Sequence, residues 1–505
     1  MAKYQEKLAT SLQALKDYQE QHEMVVFNAM EAIGRTHTKR LLENGFLEQI
    51  IRGWYMPTFP GREGDSSVWY ASFWHFVVAY CNARFGKDWC LTPEQSLAFH
   101  SGNYLVPKQL IVRSPKGRNN ITPLKYETSL LDLSADLPKE PTEETTYGLR
   151  IYSLPEALCF ASPSVFQTDK INVRTSLATV VSAQDILRFV SDDGNTQRAG
   201  RIAGAMQNIG RSDVADEIIK VMGRLGYEIR VVDPFDDKMI VPISTSPYAT
   251  RIRLAWTEMR RQIQEANISL PQGKPLSSDE LLKAMDAQYV HDAYHSLSIE
   301  GYRVTEGLIE RVKSGNWSPD NDENDAERKN ALAARGYYQA FQKVRESIQK
   351  ILVGEKAGEV FAKDHDEWHF ELFQPCVSAG IISASELLGY RNHQVYIRGS
   401  KHTPLPPASL RPAIDAFCEL MKEEDDTFIR AVLGHFFFVY IHPYMDGNGR
   451  TARFVLNVML SAAGMPWTIV PQEQRDHYMS ALETASVEGD ILPFARFIAS
   501  LLPNV

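Results

Sequence analysis

Twelve consecutive residues near the C-terminal end of this chain could do phosphate chemistry. They are His442, Pro443, Tyr444, Met445, Asp446, Gly447, Asn448, Gly449, Arg450, Thr451, Ala452 and Arg453. Gly447, Asn448 and Gly449 tolerate left-handed backbone, and a row of inward-curled N–H groups is an anion nest. The apolar run that follows opens the nest into a helix, whose N-terminus carries positive partial charge. Arg450 and Arg453 lie three apart and project from one side of that helix. Guanidinium groups there engage several phosphate oxygens at once. Asp446 is a hard carboxylate beside them and suits Mg²⁺. His442 ends the preceding apolar helix, and a neutral imidazole there can take a proton from an incoming hydroxyl. A lone Gly-Asn-Gly is usually a turn and a lone His-Pro a helix stop. The ordered set reads instead as an inventory for moving a phosphate-containing group from a nucleotide.

These residues need a scaffold, and the chain is long enough for several. At about 150 residues per domain, 505 residues predict two to four. Hydrophobic residues at 44% and charged residues at 23% describe a globular chain. The net charge of −9 excludes a uniformly basic nucleic-acid coat, though not a local patch. No run of 18 apolar residues predicts a membrane span. The charged, amphipathic start does not read as a secretory signal. Five scattered cysteines without a CxxC pair argue against disulfides and structural zinc, and so for a reducing cytoplasm. Two Pro-rich stretches, residues 134–148 and 267–278, read as linkers. They divide the chain into 1–133, 149–266 and 279–505. The first segment predicts helices over 4–20 and 25–44, then a hairpin turning at Arg52-Gly53. The middle one mixes LRIYSL and YEIRVV strands with helices and reads as a small α/β domain. The last is mostly helical and opens on a capping box, Ser277 with Glu280.

HPYMDGNGRTAR closely resembles the signature of the Fic (filamentation induced by cAMP) domain family, HPFx[D/E]GNGRxxR, with Tyr444 for the usual Phe. The resemblance extends over about residues 275–500. It implies a mainly α domain, a helical bundle with a β-hairpin flap. The implied activity is protein adenylyltransferase: transfer of AMP from ATP, with Mg²⁺, to a Ser, Thr or Tyr hydroxyl of a target protein or of the chain itself. On that resemblance His442 is the base and Asp446 the Mg²⁺ ligand. Gly447, Asn448, Gly449 and Arg450 hold the α- and β-phosphates, and Arg453 grips the γ-phosphate. Tyr478 corresponds to the stretch near the nucleoside. His435, seven residues before His442, reads as a packed histidine rather than a second base.

Ser296, Glu300 and Gly301 match the family's inhibitory motif, [S/T]xxxE[G/N]. Ser296 and Glu300 share one helix face. A Glu300 carboxylate on Arg453 would occupy the cation the γ-phosphate needs, so the chain is expected to be autoinhibited by a helix near 286–300. Val395, Tyr396 and Ile397 resemble the family's target-docking flap, whose strand edge pairs with an extended target segment.

Between Glu31 and Lys125 there are twelve Lys/Arg against seven Asp/Glu, an excess of five positive charges. That segment weakly resembles winged-helix regulators of the abortive-infection antitoxin type. The resemblance implies DNA contacts from Lys39, Arg40, Arg52 and Arg62, mostly to phosphates. The alternatives to AMP transfer are removal of AMP and a DNA-binding regulator that uses its Fic domain as a nucleotide sensor. The family resemblance also implies a homodimer.

Overall fold

The computed structural model describes residues 2–22, 26–28, 32–61, 66–140, 142–191, 194–241, 246–271, 274–316 and 325–502. The chain packs as two bodies: Met1–Arg251 with Tyr396–Thr403, and Ile252–Val395 with Pro404–Val505.

In the first body, α1 (Ala2–His22) and α2 (Gly34–Glu43) bury Leu15, Phe27, Leu41 and Leu47 between them and a small sheet. That sheet holds β1 (Phe27–Asn28), β2 (Leu47–Ile51) and β3 (Trp54–Pro57), with β3 central and both pairings antiparallel. The hairpin expected at Arg52-Gly53 is present, and Gly53 supplies φ +88°. The helix expected from residue 25 begins only at Gly34, because Phe27–Asn28 pairs with β3.

Next comes α3 (Ser67–Phe85), apolar on every side, with Trp69, Phe73, Trp74 and Phe76 buried. It shares one core with a second sheet of β4 (Cys90–Leu91), β5 (Gln109–Ser114), β6 (Asn120–Pro123) and β7 (Ser129–Ser134), in the order β4-β5-β7-β6. Helix α4 (Pro93–His100) follows β4, and a two-residue pair, β8 (Glu143–Glu144) and β9 (Arg150–Ile151), closes this part. The second sheet and its aromatic helix lie outside the winged-helix-like expectation for 1–133. Non-local strand pairing leaves no local period in the sequence.

The middle segment is mostly helical where a small α/β domain was expected; of LRIYSL, only Arg150–Ile151 forms a strand, β9. Helices α5 (Leu154–Phe160), α6 (Val165–Thr168), α7 (Lys170–Ala178), α8 (Ala183–Val190), α9 (Thr196–Asn208) and α10 (Ser212–Arg224) make it up. YEIRVV is extended but pairs with no strand among the described residues. It lies along α9, where the Val232 N–H donates to the Gly200 carbonyl at 3.2 Å. A Cβ on Gly200 or Gly204 would sit 2.1 or 2.2 Å from the carbonyl oxygens of Arg230 and Val232. The two glycines let a bare helix face take the place of a partner strand.

The second body is a helical bundle. Most of α11 (Pro247–Glu265) belongs to it, followed by α12 (Ser278–Ile299), α13 (Glu306–Lys313), α14 (Asp325–Leu352), α15 (Ala357–Ser378), α16 (Ala384–Leu387), α17 (Leu410–Glu423), α18 (Thr427–Ile441), α19 (Asn448–Ser461), α20 (Arg475–Glu488) and α21 (Leu492–Leu501). Ser277 and Glu280 form the expected capping box of α12. Nearly every residue of α18 and α19 is buried. They are the core of the bundle, and the loop between them carries the twelve-residue motif.

The β-hairpin flap expected at Val395–Gly399 does not form a ladder. The segment is irregular, with a turn in which the Ser400 N–H donates to the Ile397 carbonyl at 3.1 Å. Its returning arm contains Pro404, Pro406 and Pro407, which have no N–H to give. Gln394 Nε2 donates instead to the carbonyls of Pro404 and Val395, at 2.8 and 3.1 Å.

Candidate active site

The loop starts at His442, which caps α18 in a left-handed conformation with φ +55°. Three features fix it. The Nδ1 of His442 lies 3.1 Å from the Val439 carbonyl, which only accepts, so Nδ1 carries the proton and Nε2 keeps the lone pair. Arg391, itself buried, donates from Nε to the His442 carbonyl at 2.8 Å, and its other nitrogens bind the carbonyls of His393 and Leu405. Burial, and secondarily the Arg391 charge, push the imidazole down to about 4, so it is neutral at pH 7.

Further along, Tyr444 and Asn448 hold each other. The Tyr444 N–H donates to the Asn448 side-chain carbonyl at 3.0 Å, and the Asn448 amide returns to the Tyr444 carbonyl at 2.9 Å. The Asn448 side chain therefore braces the loop, leaving only its backbone N–H toward a ligand. Gly447 has φ +83° and caps α19; Asn448 and Gly449 are already helical. The nest is thus one left-handed glycine feeding a helix N-terminus, a narrower device than three left-handed residues.

Two residues of α15 that the motif does not contain press on this loop. The ring of His369 stacks on Tyr444 at 3.6 Å between centroids and 7° between planes. Its Nε2–H donates to the Asp446 carbonyl at 3.0 Å. Burial pushes the His369 imidazole down to about 4, which keeps it neutral. Phe373 fills the space where a Cβ on Gly447 would stand, 2.7 Å away. Neither has a sequence signature, because each reaches the loop from some seventy positions away.

Asp446 is mostly exposed; its Oδ1 accepts from the Gly447 N–H at 2.5 Å and from Arg450 Nη2 at 3.3 Å. Arg450 is buried between the rings of Tyr302 and Phe373, 5.3 and 4.9 Å from their centroids. Arg453 is already engaged. Its Nε donates to Ser296 Oγ at 2.8 Å, and its Nη2 to the Ser296 carbonyl at 3.1 Å and to Glu300 Oε1 at 2.7 Å. Burial works against the Arg453 charge and Glu300 more than offsets it, so the guanidinium is held above its ordinary value. Glu300 caps the C-terminus of α12, and Gly301 turns the chain away with φ +88°. A Cβ on Gly449 would lie 2.4 Å from Glu300 Oε1, so the carboxylate rests on the nest itself.

Not every candidate is gathered here. Tyr478 is buried, and its hydroxyl pairs with His435 Nε2 at 2.9 Å. Tyr396, Ile397 and the rest of Tyr396–Thr403 pack with the first body, where the Gly399 N–H donates to Ser67 Oγ at 2.7 Å. Val395 stays with the second body. Of the basic residues assigned to DNA, Lys39 pairs with Glu43 at 3.7 Å. Arg40 Nη1 is bound to Ser11 Oγ and the Lys7 carbonyl, at 2.7 and 3.0 Å. Arg52 sits at the hairpin turn, and Arg62 lies outside the described residues.

Compared with known proteins, residues 362–460 match the profile described as the Fic/DOC family. The chain is 32% identical over 228 residues to "Protein adenylyltransferase Fic" of Drosophila yakuba and, equally, to that of Drosophila melanogaster. Those alignments cover 44% of this chain and 42% of each relative, so the chain matches less than half of their length. Among solved structures, "Fic-1 (aa134 - 508) from C. elegans" aligns over 69% of this chain and 88% of its own, with 20% identity and a TM-score of 0.37. No described helix is long and apolar enough to cross a membrane.

Proposed function

From the premise that residues 362–460 belong to the Fic/DOC family, we propose that this chain transfers AMP from ATP to a hydroxyl side chain of a target protein, or of its own, and restrains itself through Glu300. His442 Nε2 takes the proton of the target Ser, Thr or Tyr hydroxyl. The hydroxyl oxygen bonds to the α-phosphorus, and the bond to the β-phosphate oxygen breaks, releasing pyrophosphate. The Gly447–Gly449 backbone and Arg450 hold the phosphates, and Arg453 takes the γ-phosphate once Glu300 leaves. The protein does little covalent work; positioning and charge carry the reaction.

A Mg²⁺ ion fits the donor set. No cluster of three metal-binding side chains occurs among the described residues, but Mg²⁺ commonly uses one carboxylate plus substrate phosphates and water. Asp446, largely exposed beside the nest, supplies that carboxylate. When bound, the ion would neutralise charge on the phosphates. The five free cysteines fit action in a reducing compartment such as the cytoplasm.

The observation that carries this reading is His442: a neutral base with its lone pair on Nε2, in the same loop as the nest, while Arg453 is withheld by Glu300. The test is incubation of a cell lysate with ATP labelled on the α-phosphate. Glu300→Gly should label protein well above wild type, roughly ten- to a hundredfold, and Glu300→Gly with His442→Ala should label none. Equal labelling by Glu300→Gly and wild type would defeat the restraint. Absence of His442-dependent label in every form would defeat the transferase and favour a nucleotide sensor.

A further inference from the structure

A cavity of about 430 Å³ opens in the second body beside Asp446 and Arg450, walled largely by apolar side chains such as Leu372 and Phe373. Three cations line it, Arg328, Lys329 and Arg450, against one carboxylate, Asp446. Its most informative feature is a set of unmet donors. Arg450 is 1% exposed, yet its Nε and Nη1 have no hydrogen-bond partner among the described residues; only Nη2 is used, on Asp446. The Nε of Arg328 is likewise buried and unmatched among the described residues. A buried guanidinium N–H without an acceptor is costly, and a cation excess among apolar walls attracts an anion more strongly than the same charges in water.

The usual course of the phosphates is closed. Glu300 lies on Gly449 and on Arg453, so a polyphosphate running along the nest meets a carboxylate at that end. Arg450, next to the nest, also lines this cavity together with Arg328 and Lys329. We propose that the cavity is a second anion subsite, in which Arg328, Lys329 and the unpaired N–H groups of Arg450 take a diphosphate group while Glu300 holds Arg453. The proposal rests on the nucleotide-binding reading above.

The diphosphate has two sources, the tail of a nucleotide or free pyrophosphate, and calorimetric titration of the full chain separates them. In the Glu300-intact protein, Arg328→Ala with Lys329→Ala should weaken ADP binding roughly five- to tenfold while changing AMP less than about twofold. Pyrophosphate weakened while ADP is unaffected would support the subsite and identify the free anion as its occupant. In the Glu300→Gly background, where Arg453 competes for the phosphates, the same pair should cost ADP at least about threefold less. Arg328→Lys with Lys329→Arg keeps the charges and should restore binding, which separates a charge effect from misfolding. Unchanged ADP and pyrophosphate affinity, or an equal loss for AMP, would overturn the subsite. If nucleotide fails to bind even Glu300→Gly, the functional reading falls as well; if it binds there and the double variant is silent, only the subsite falls.

Discussion

At the scale of single residues, the proposed transfer turns on which nitrogen of His442 bears the proton. The Val439 carbonyl holds it on Nδ1, and burial keeps the ring neutral with a value of about 4. The expected consequence is a pH–rate profile for Glu300→Gly that is flat from pH 6 to 8 and falls only as pH drops toward 4. A midpoint near 6.5 in kcat/KM would show instead that the ring titrates as an ordinary imidazole. Arg391 holds the His442 carbonyl, and on the proposed reading it is a positioning residue. Arg391→Lys loses the Nε contact to the His442 carbonyl and the Nη2 contact to Leu405, and should lower kcat about 10- to 100-fold with KM for ATP little changed. His442, Asp446, Arg450 and Arg453 were legible in the sequence because their order and spacing lie within twelve contiguous residues. Arg391 and His369 were not, because a side chain arriving from another element leaves no spacing to read.

At the scale of elements, α12 carries both residues that hold Arg453 and, between its cap and that contact, a buried carboxyl of its own. Asp292, one turn before Ser296, is fully buried; desolvation raises its carboxyl to about 6 despite the 2.6 Å hydrogen bond from the Tyr337 hydroxyl. A carboxyl raised on folding binds its proton more tightly in the folded state. It therefore contributes stability below its ordinary value of 3.8, and that contribution is lost as pH rises through about 6. Asp292→Asn keeps an acceptor for Tyr337 without the charge. Its Tm should exceed that of wild type at pH 8, by up to about 3 kcal/mol of stability, and the difference should vanish near pH 4. The contact of Ser296 and Glu300 with Arg453 was visible as an i, i+4 pair, and the cap at Ser277 as a four-residue box. The missing flap ladder also has a sequence cause, three prolines in the returning arm, which outweigh the strand-like pattern of Val395–Ile397.

At the scale of the whole molecule, the first 250 residues were the least legible. Three of their strand pairings, β1–β3, β4–β5 and β5–β7, join residues twenty or more positions apart, and YEIRVV looks like a strand but is sheltered by two glycines of a helix. Gly204→Ala should lower Tm through the clash with the Val232 carbonyl, at a cost of at least about 2 kcal/mol. Tyr396–Thr403 folds with this body, held in part by Ser67. If that segment docks targets, Ser67→Ala should raise KM for a protein target while leaving KM for ATP unchanged. A rise in both would argue against a docking role.

The grip of Glu300 on Arg453 also sets a ceiling. That contact of one partly exposed carboxylate is worth about 1.4 to 2.7 kcal/mol, which corresponds to roughly ten- to a hundredfold. Any cellular signal that works only by loosening this contact inherits that figure as its full dynamic range. On the proposed reading, the resting protein therefore has a background output that no signal can lower unless it tightens the same latch.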